Sequence, residues 1–257
     1  VDPALTLPPP AGFCALTRQQ PADAAALDTM SGILKGVQTA LLGMSADCGQ
    51  LEAFRSHNRL VADFARYQSP VFNWDSKSSR AEWVKAHCAS LRAEAVKSLA
   101  GVTAEVNARM AAAKSQARVN EMIPLGVVAE DPDACYTGVL QALTEGGTKR
   151  TQVGVSASTV LKGRIVNYIL FTDYRDADTL RVALDHHKRN VAALLVANGE
   201  QPADEVAWAA VKDTANGEQL RRFIAQFPGS ARRGEAEERL KAVGQTGVAE
   251  PVQPVPD

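Results

Sequence analysis

Residues 150–174 read RTQVGVSASTVLKGRIVNYILFTDY, and this stretch decides the fold class. Its first half alternates apolar residues with glycine and serine, which is the period of a β-strand with one buried face. Lys162-Gly163 then provides a two-residue turn, and the apolar run from Arg164 to Tyr174 predicts the returning strand. We therefore expect an antiparallel hairpin, whose glycine and serine face would let a helix or another chain approach closely.

An amphipathic helix is predicted directly after the hairpin, from Asp176 to Asn198. Its apolar stripe consists of Leu180, Leu184, Val191, Leu194 and Leu195. Earlier in the chain, turn and capping residues delimit a strand over 12–16, a helix from Pro21 to Lys35 and a strand over 37–46. Together these elements predict an α+β domain over 12–199, in which helices flank an antiparallel sheet.

Two more helical segments are predicted inside this domain. Residues 79–118 have a long helical pattern, and because alanines weaken its apolar stripe we expect a helical insertion that breaks near Gly101. Unbroken, it would form an arm about 60 Å long. Asp131-Pro132-Asp133 has the residue types of a helix start and Gly146-Gly147 those of a helix end, so a helix is predicted between them.

The C-terminal part of the chain has a different pattern. After a hinge at 200–202, three short helices are predicted within 204–243, with Asn216 capping the second and Pro228 ending it. The residues expected to share one small core are Trp208, Val211, Leu220, Phe223, Ile224, Phe227 and Leu240. All of these except Ile224 and Leu240 are also our candidates for contact with a partner protein. The Pro-rich segment 1–11 is predicted to be extended, and the tail 244–257 disordered.

Four cysteines, Cys14, Cys48, Cys88 and Cys135, permit two disulfides in three connectivities. We favour Cys14–Cys48 with Cys88–Cys135, because each bond then joins sequential structural units; four buried free thiols are the alternative. Disulfides persist in oxidising compartments. The chain begins at Val1 without the pattern of a signal peptide, as a mature exported chain would. We therefore expect a periplasmic or otherwise exported protein.

Composition excludes two classes of partner. A formal net charge of −1 gives no electrostatic footprint for nucleic acid or for an anionic membrane surface. The longest apolar run, Val191 to Ala197, is far shorter than the roughly 18 residues of a membrane-spanning helix. Hydrophobic residues at 46% and charged residues at 22% exclude a wholly disordered chain.

The sequence does not contain the pattern of a catalytic site. The segment Gly154-Val-Ser156-Ala-Ser158 lacks the last glycine of a nucleophile elbow and lies within a predicted strand. His87 and Cys88 are adjacent, so on a helix their side chains point about 100° apart and cannot form a catalytic pair. We predict no catalytic residue and no enzyme activity.

Metal and phosphate sites are equally unsupported by spacing. His186 and His187 have no second ligand four residues away, so we interpret His187 as a core residue and His186 as solvated. Residues 146–151 lack the spacing of a phosphate-binding loop and precede a strand instead of a helix. We predict no metal ligand and no cofactor.

Three resemblances add to this interpretation. The pattern Trp208-Ala-Ala-Val211, Leu220-x-x-Phe223-Ile224-x-x-Phe227-Pro228 and Ala236-x-x-Arg239-Leu240 resembles a small tetratricopeptide-like helical module appended to bacterial proteins. Residues 11–199 are similar to an uncharacterised exported family of alphaproteobacteria, through Gly12-Phe13-Cys14-Ala15-Leu16, Ala46-Asp47-Cys48-x-Gln50-Leu51 and Ala134-Cys135-Tyr136. The order of elements in this region also resembles the PsbP-like α+β sandwich. The helical module implies protein interaction, and none of the three implies a reaction.

These observations lead to two hypotheses of function. The first is a non-enzymatic exported accessory protein that mediates protein association, as part of a larger assembly or as a homo-oligomer, through residues 204–243 and the 79–118 segment. The second is a carrier of a small molecule or lipid, with its pocket between the hairpin and the helix over 176–198.

Overall fold

The computed structural model of the chain describes residues 4–57, 61–72, 78–94, 100–112 and 117–246. The chain divides into two compact units, residues 1–200 (unit 1) and 201–257 (unit 2), and the division falls within the predicted hinge. Unit 1 contains the strands and five helices among its described residues, and unit 2 contains three helices. The α+β class is confirmed.

The described strands of unit 1 form one antiparallel sheet in the order β1-β2-β3-β7-β6-β5-β4. The strands are β1 (Phe13–Ala15), β2 (Thr39–Asp47), β3 (Phe64–Pro70), β4 (Ala117–Glu130), β5 (Cys135–Glu145), β6 (Thr148–Leu161) and β7 (Arg164–Asp173). The helices are α1 (Pro21–Lys35), α2 (Cys48–His57), α3 (Arg80–Ala93), α4 (Ala100–Ala112) and α5 (Ala177–Ala197).

The hairpin predicted from residues 150–174 is confirmed as β6 and β7. Leu161 pairs with Arg164 at its closed end. The two turn residues, Lys162 and Gly163, have φ angles of 48° and 78°, the left-handed pair that matches the twist of a hairpin. Helix α5 then begins at a capping box in which Asp176 and Thr179 bond each other's backbone amides.

The prediction of a helix after Asp131 is wrong, because the chain there forms a hairpin of β4 and β5. The Asp131 carboxylate accepts bonds of 2.9 Å from the amides of Asp133 and Ala134, and its second oxygen accepts one from the Tyr136 hydroxyl. These are the bonds of a capping aspartate, but here they close a turn. The following residues pair with strands on both sides, so sheet pairing decides their conformation.

The long helix predicted over 79–118 is two helices and the start of a strand. A Ser79–Glu82 capping box begins α3, and Glu94 ends it. The break predicted near Gly101 is confirmed, because α3 ends at Ala93 and α4 begins at Ala100, one residue before Gly101. Residues 117 and 118 already belong to β4. Residues 95–99 of the predicted helix lie outside the described residues.

Strands β3 and β4 and helix α2 are not among the elements predicted from the sequence. In β3 the residues facing one side of the sheet include Arg66 and Gln68, so the strand lacks an apolar run. In β4 the register shifts at three places, which interrupts the alternation of buried and exposed residues. Helix α2 follows β2 directly at Cys48, whereas the sequence predicts only the end of a strand in this region.

Helix α5 covers one face of the sheet. Its Val191, Leu194 and Leu195 belong to one buried cluster with Tyr67 and Tyr168 of the central strands. Each fully buried side chain of this size contributes about 1.5–3 kcal/mol. The Asn190 amide donates to the Tyr67 hydroxyl at 2.9 Å, and that hydroxyl donates to the Pro8 carbonyl at 2.8 Å.

The opposite face carries α1 at one side and α3 at the other. Leu27 of α1 lies in a cluster with Ala46 of β2, and Trp83 of α3 packs against Val160 and Ile165 of the hairpin. Between these two helices the central strands present partly exposed polar side chains, among them Arg66 and Asn167.

A buried ion pair joins α1 to α2. The Asp23 carboxylate has no exposed surface and accepts two bonds from the Arg55 guanidinium, at 3.0 and 2.6 Å, and one from the Thr17 amide at 2.9 Å. Burial by itself would raise the pKa of Asp23, but these hydrogen bonds and the Arg55 charge outweigh it and lower the pKa.

The Pro-rich N-terminal segment is bonded to Asn198, which follows α5. The Asn198 side chain accepts from the Thr6 amide at 2.9 Å and donates to the Thr6 carbonyl at 2.7 Å. These paired bonds anchor residues that have no secondary structure of their own.

Unit 2 consists of α6 (Ala203–Val211), α7 (Gly217–Gln226) and α8 (Arg233–Thr246), which confirms the three predicted helices. The Asn216 side chain accepts from the Glu218 amide at 2.9 Å and caps α7. Residues 244–246 belong to α8, so the predicted disordered tail begins too early. Its remaining positions, 247–257, lie outside the described residues.

Candidate functional site

The predicted partner contacts of unit 2 form the core of that unit. Trp208, Leu220, Phe223 and Phe227 are all buried, and the Phe223 ring lies 5.4 Å from each of the other two rings. Val211 packs against this cluster and is partly buried. The expectation of one shared core is confirmed. A direct contact through Leu220, Phe223 or Phe227 would require unit 2 to open, whereas an edge of Trp208 lines a groove on the surface.

The surface that this core supports is an open groove of about 450 Å³. It is lined by Trp208 near the end of α6, by the two residues that follow α6, and by α8. The lining residues besides Trp208 are Lys212, Asp213, Glu235, Glu238, Arg239 and Ala242.

Four of the groove's charged side chains have no ion-pair partner within the described parts of the chain. They are Lys212, Asp213, Glu238 and Arg239, and all are exposed. The fifth charged lining residue, Glu235, is paired: Arg232 bonds it at 2.9 Å and bonds Glu205 at 3.0 Å. The groove therefore combines an aromatic ring with charges of both signs that are unpaired among the described residues.

The two histidines of α5 differ in their surroundings. His187 is fully buried, with its Nδ1 2.8 Å from the Ala183 carbonyl and its ring 4.6 Å from the Tyr168 ring. Burial lowers the pKa of His187 to about 4. His186 is partly buried against the Phe13 ring instead of fully solvated, and burial also lowers its pKa. The prediction that His187 is a core residue is confirmed, and the prediction that His186 is solvated is wrong.

His87 and Cys88 lie on α3, as the sequence predicted. The His87 ring stacks on Trp83 at 4.7 Å, and Cys88 is in a disulfide. Among the described residues, no group of three His, Cys, Asp or Glu side chains is placed to hold a metal ion.

Both favoured disulfides are confirmed. The outer disulfide, Cys14–Cys48, joins β1 to the start of α2, and both of its cysteines are exposed. The inner disulfide, Cys88–Cys135, joins α3 to β5 and is fully buried. Each closes a loop that contributes about 4 kcal/mol in the chain-entropy model.

The space between α5 and the β6–β7 hairpin, where the carrier hypothesis predicts a pocket, is filled by side chains. Leu194 and Leu195 of α5 and Tyr168 of the hairpin are almost completely buried against each other. A ligand between α5 and the hairpin would have to displace them, so the carrier hypothesis stays a prediction. In the described part of the chain, no helix is long and apolar enough to cross a membrane.

Comparisons with protein families, curated proteins and solved structures give no match for this chain. The resemblances to an exported alphaproteobacterial family, to the PsbP-like sandwich and to a tetratricopeptide-like module stay predictions. Function must therefore be inferred from the geometry of the chain itself.

Proposed function

We propose that this chain is an exported, non-enzymatic accessory protein that binds a partner protein through the groove of unit 2. The observation that carries the proposal is the combination of the Trp208 edge with four free charges in that groove. Aromatic floors surrounded by polar residues are typical of protein interfaces, because burial of the ring supplies affinity and charges supply orientation.

The partner segment is a polypeptide with an apolar side chain flanked by charges of both signs. Its apolar side chain would cover the Trp208 edge, and its charges would pair with Lys212 and Arg239 on one hand and with Asp213 and Glu238 on the other. A groove of about 450 Å³ has room for only a few side chains, so the contact is with a short segment and not with a flat surface.

The exported location is supported by the two disulfides. Disulfides of this kind form and persist outside the reducing cytoplasm, and the outer disulfide is exposed to whatever reductant the compartment contains.

Site-specific photo-crosslinking in the full chain tests the proposal. A photoreactive phenylalanine derivative is placed at Lys212 or Glu238 in the groove, or at Arg222 of α7, which is exposed and does not line the groove. We expect a protein adduct of defined mass from both groove positions and none from Arg222. An adduct of twice the chain mass identifies a homo-oligomer.

Charge reversal provides the second arm. Lys212→Glu combined with Asp213→Lys should reduce the yield of the adduct formed from Glu238 at least about tenfold, because like charges then face each other. Equal adduct yields at groove and control positions, or an adduct that is unaffected by charge reversal, would contradict the proposal.

A further inference from the structure

The sheet face opposite α5 carries two rows of polar side chains on adjacent strands. In one row, Arg66 of β3 pairs with Ile169 of β7, which pairs with Ser156 of β6, which pairs with Thr137 of β5. Paired residues of neighbouring strands point to the same face. Tyr67 and Tyr168, one position along, point to α5, so this row points away from it.

The second row runs parallel to the first, two residues further along β3. It consists of Gln68, Asn167 and Ser158, on β3, β7 and β6. We call the polar residues of both rows the trough: Arg66, Gln68, Thr137, Ser156, Ser158 and Asn167. All except Ser158 are partly exposed, and the trough lies between α1 and α3.

Arg66 makes no ion pair with any described residue. Its Nε donates to Gln68 at 2.8 Å, its Nη1 lies 3.4 Å from the sulfur of Met30, and its guanidinium carbon lies 5.6 Å from the centre of the Phe171 ring. Burial lowers the pKa of Arg66 to about 10, so the guanidinium remains charged at neutral pH.

The other trough residues have unused hydrogen-bonding capacity. Thr137, Ser156, Ser158 and Asn167 make no side-chain hydrogen bond in the described part of the chain. Each offers both a donor and an acceptor, at the spacing of about 4.8 Å that separates neighbouring strands. Partly buried polar groups normally have partners, so a row without them is where a polar ligand gains most.

We propose that the trough binds a small monocarboxylate that also carries hydroxyl groups, such as a sugar acid. The carboxylate accepts a bond from Nη2 of Arg66, whose Nε is held by Gln68 and whose Nη1 contacts Met30. The ligand then extends along the row over Ile169, and its hydroxyl groups bond Ser156 and Thr137. A single cation in the two rows balances one negative charge, which favours a carboxylate over a dianionic phosphate.

Isothermal titration calorimetry on the full oxidised chain tests this site, in a buffer without carboxylate or phosphate. The probes are D-glucuronate, D-glucose and glucose 6-phosphate. We expect glucuronate to bind at least about tenfold more tightly than either of the others, because only glucuronate matches both the single charge and the hydroxyl groups.

Two variants separate the guanidinium from general charge. Arg66→Met should weaken glucuronate binding at least about tenfold, whereas Arg189→Met, which removes an exposed charge from α5, should leave it unchanged. Ser156→Ala removes one trough hydroxyl without changing charge and should weaken binding by a factor of about two to ten. It keeps the test valid if Arg66→Met does not fold, which near-ultraviolet circular dichroism will reveal.

Four results would overturn the proposal. They are the absence of glucuronate binding at about 10 mM, equal binding by Arg66→Met and Arg189→Met, glucose binding as tight as that of glucuronate, and tighter binding of glucose 6-phosphate. None of them bears on the groove of unit 2, so this proposal and the proposed function fail independently.

Discussion

Replacing His187 by leucine should remove most of the acid sensitivity of unit 1. His187 is fully buried, and its Nε2 has no hydrogen-bond partner among the described residues. The groups that face it are the Tyr168 ring, the Ala183 carbonyl and the neighbouring His186, whose charge would disfavour a second proton. Leucine fills an apolar position of this size without bringing a group that must be protonated at low pH.

The magnitude follows from the shift in pKa. An unfolded histidine titrates near 6.5, and burial lowers the pKa of His187 to about 4 in the folded chain. Between these values the unfolded state binds more protons than the folded state, so stability falls as the pH falls. The full loss is about 3 kcal/mol at pH 4, and the loss between pH 7.5 and pH 5.0 is about 2 kcal/mol.

Urea unfolding at pH 7.5 and pH 5.0, followed by near-ultraviolet circular dichroism, measures this loss. All four tyrosines are in unit 1, so their signal reports on that unit. We expect His187→Leu to lose about 2 kcal/mol less than the wild type between the two pH values. Other titrating groups, such as Asp131, whose pKa burial raises, are common to both chains and cancel in the difference. The reasoning is refuted if His187→Leu loses as much stability as the wild type between the two pH values. A His186→Gln control tests whether the assay resolves a stability difference of this size.

Three further predictions concern packing, charge and redox state. Gly154→Ala should destabilise the fold by about 1–3 kcal/mol, because its Cβ would lie 2.6 Å from an atom of the Phe171 ring. Gly32→Ala, whose Cβ would meet nothing within 4 Å, should stabilise α1 by about 0.5–1 kcal/mol. Equal thermal midpoints for the two variants would contradict this prediction. Asp23→Asn should lower the free energy of unfolding in urea by about 3 kcal/mol, since the Arg55 charge is left without its partner. Because the folded pKa of Asp23 is lowered, the stabilisation by this ion pair should disappear as the pH falls below about 4. A double variant with Arg55→Met that loses as much stability as both single variants together would argue against coupling. Mild reduction should open the outer disulfide before the inner one, as peptide mass spectrometry of alkylated thiols would establish, and simultaneous opening would mean that burial does not protect the inner bond.

The sequence predicted those parts of the fold that local chemistry decides. The β6–β7 hairpin depends on two turn residues and on strict alternation, and α5 on a cap and an apolar stripe, so each could be found within about 25 residues. The turn at Asp131 was misinterpreted for the same reason. A carboxylate that bonds the next free amides begins a helix or closes a turn equally well, and only the pairing of β5 with two other strands distinguishes the two outcomes.

The trough could not be predicted because it exists only through register. Arg66 and Thr137 are far apart in sequence and meet on one row through three successive strand pairings, of which only the β6–β7 pairing was predicted. Strand β3 was missed because Arg66 and Gln68 interrupt its apolar pattern. Gln68 accepts a bond from Arg66, but Arg66 itself has no counter-charge among the described residues, and a cation placed so in a sheet destabilises the fold. Arg66→Met should accordingly raise the thermal midpoint of the free chain while weakening glucuronate binding at least about tenfold, and a lower midpoint would mean that Arg66 is kept for its stacking on Phe171.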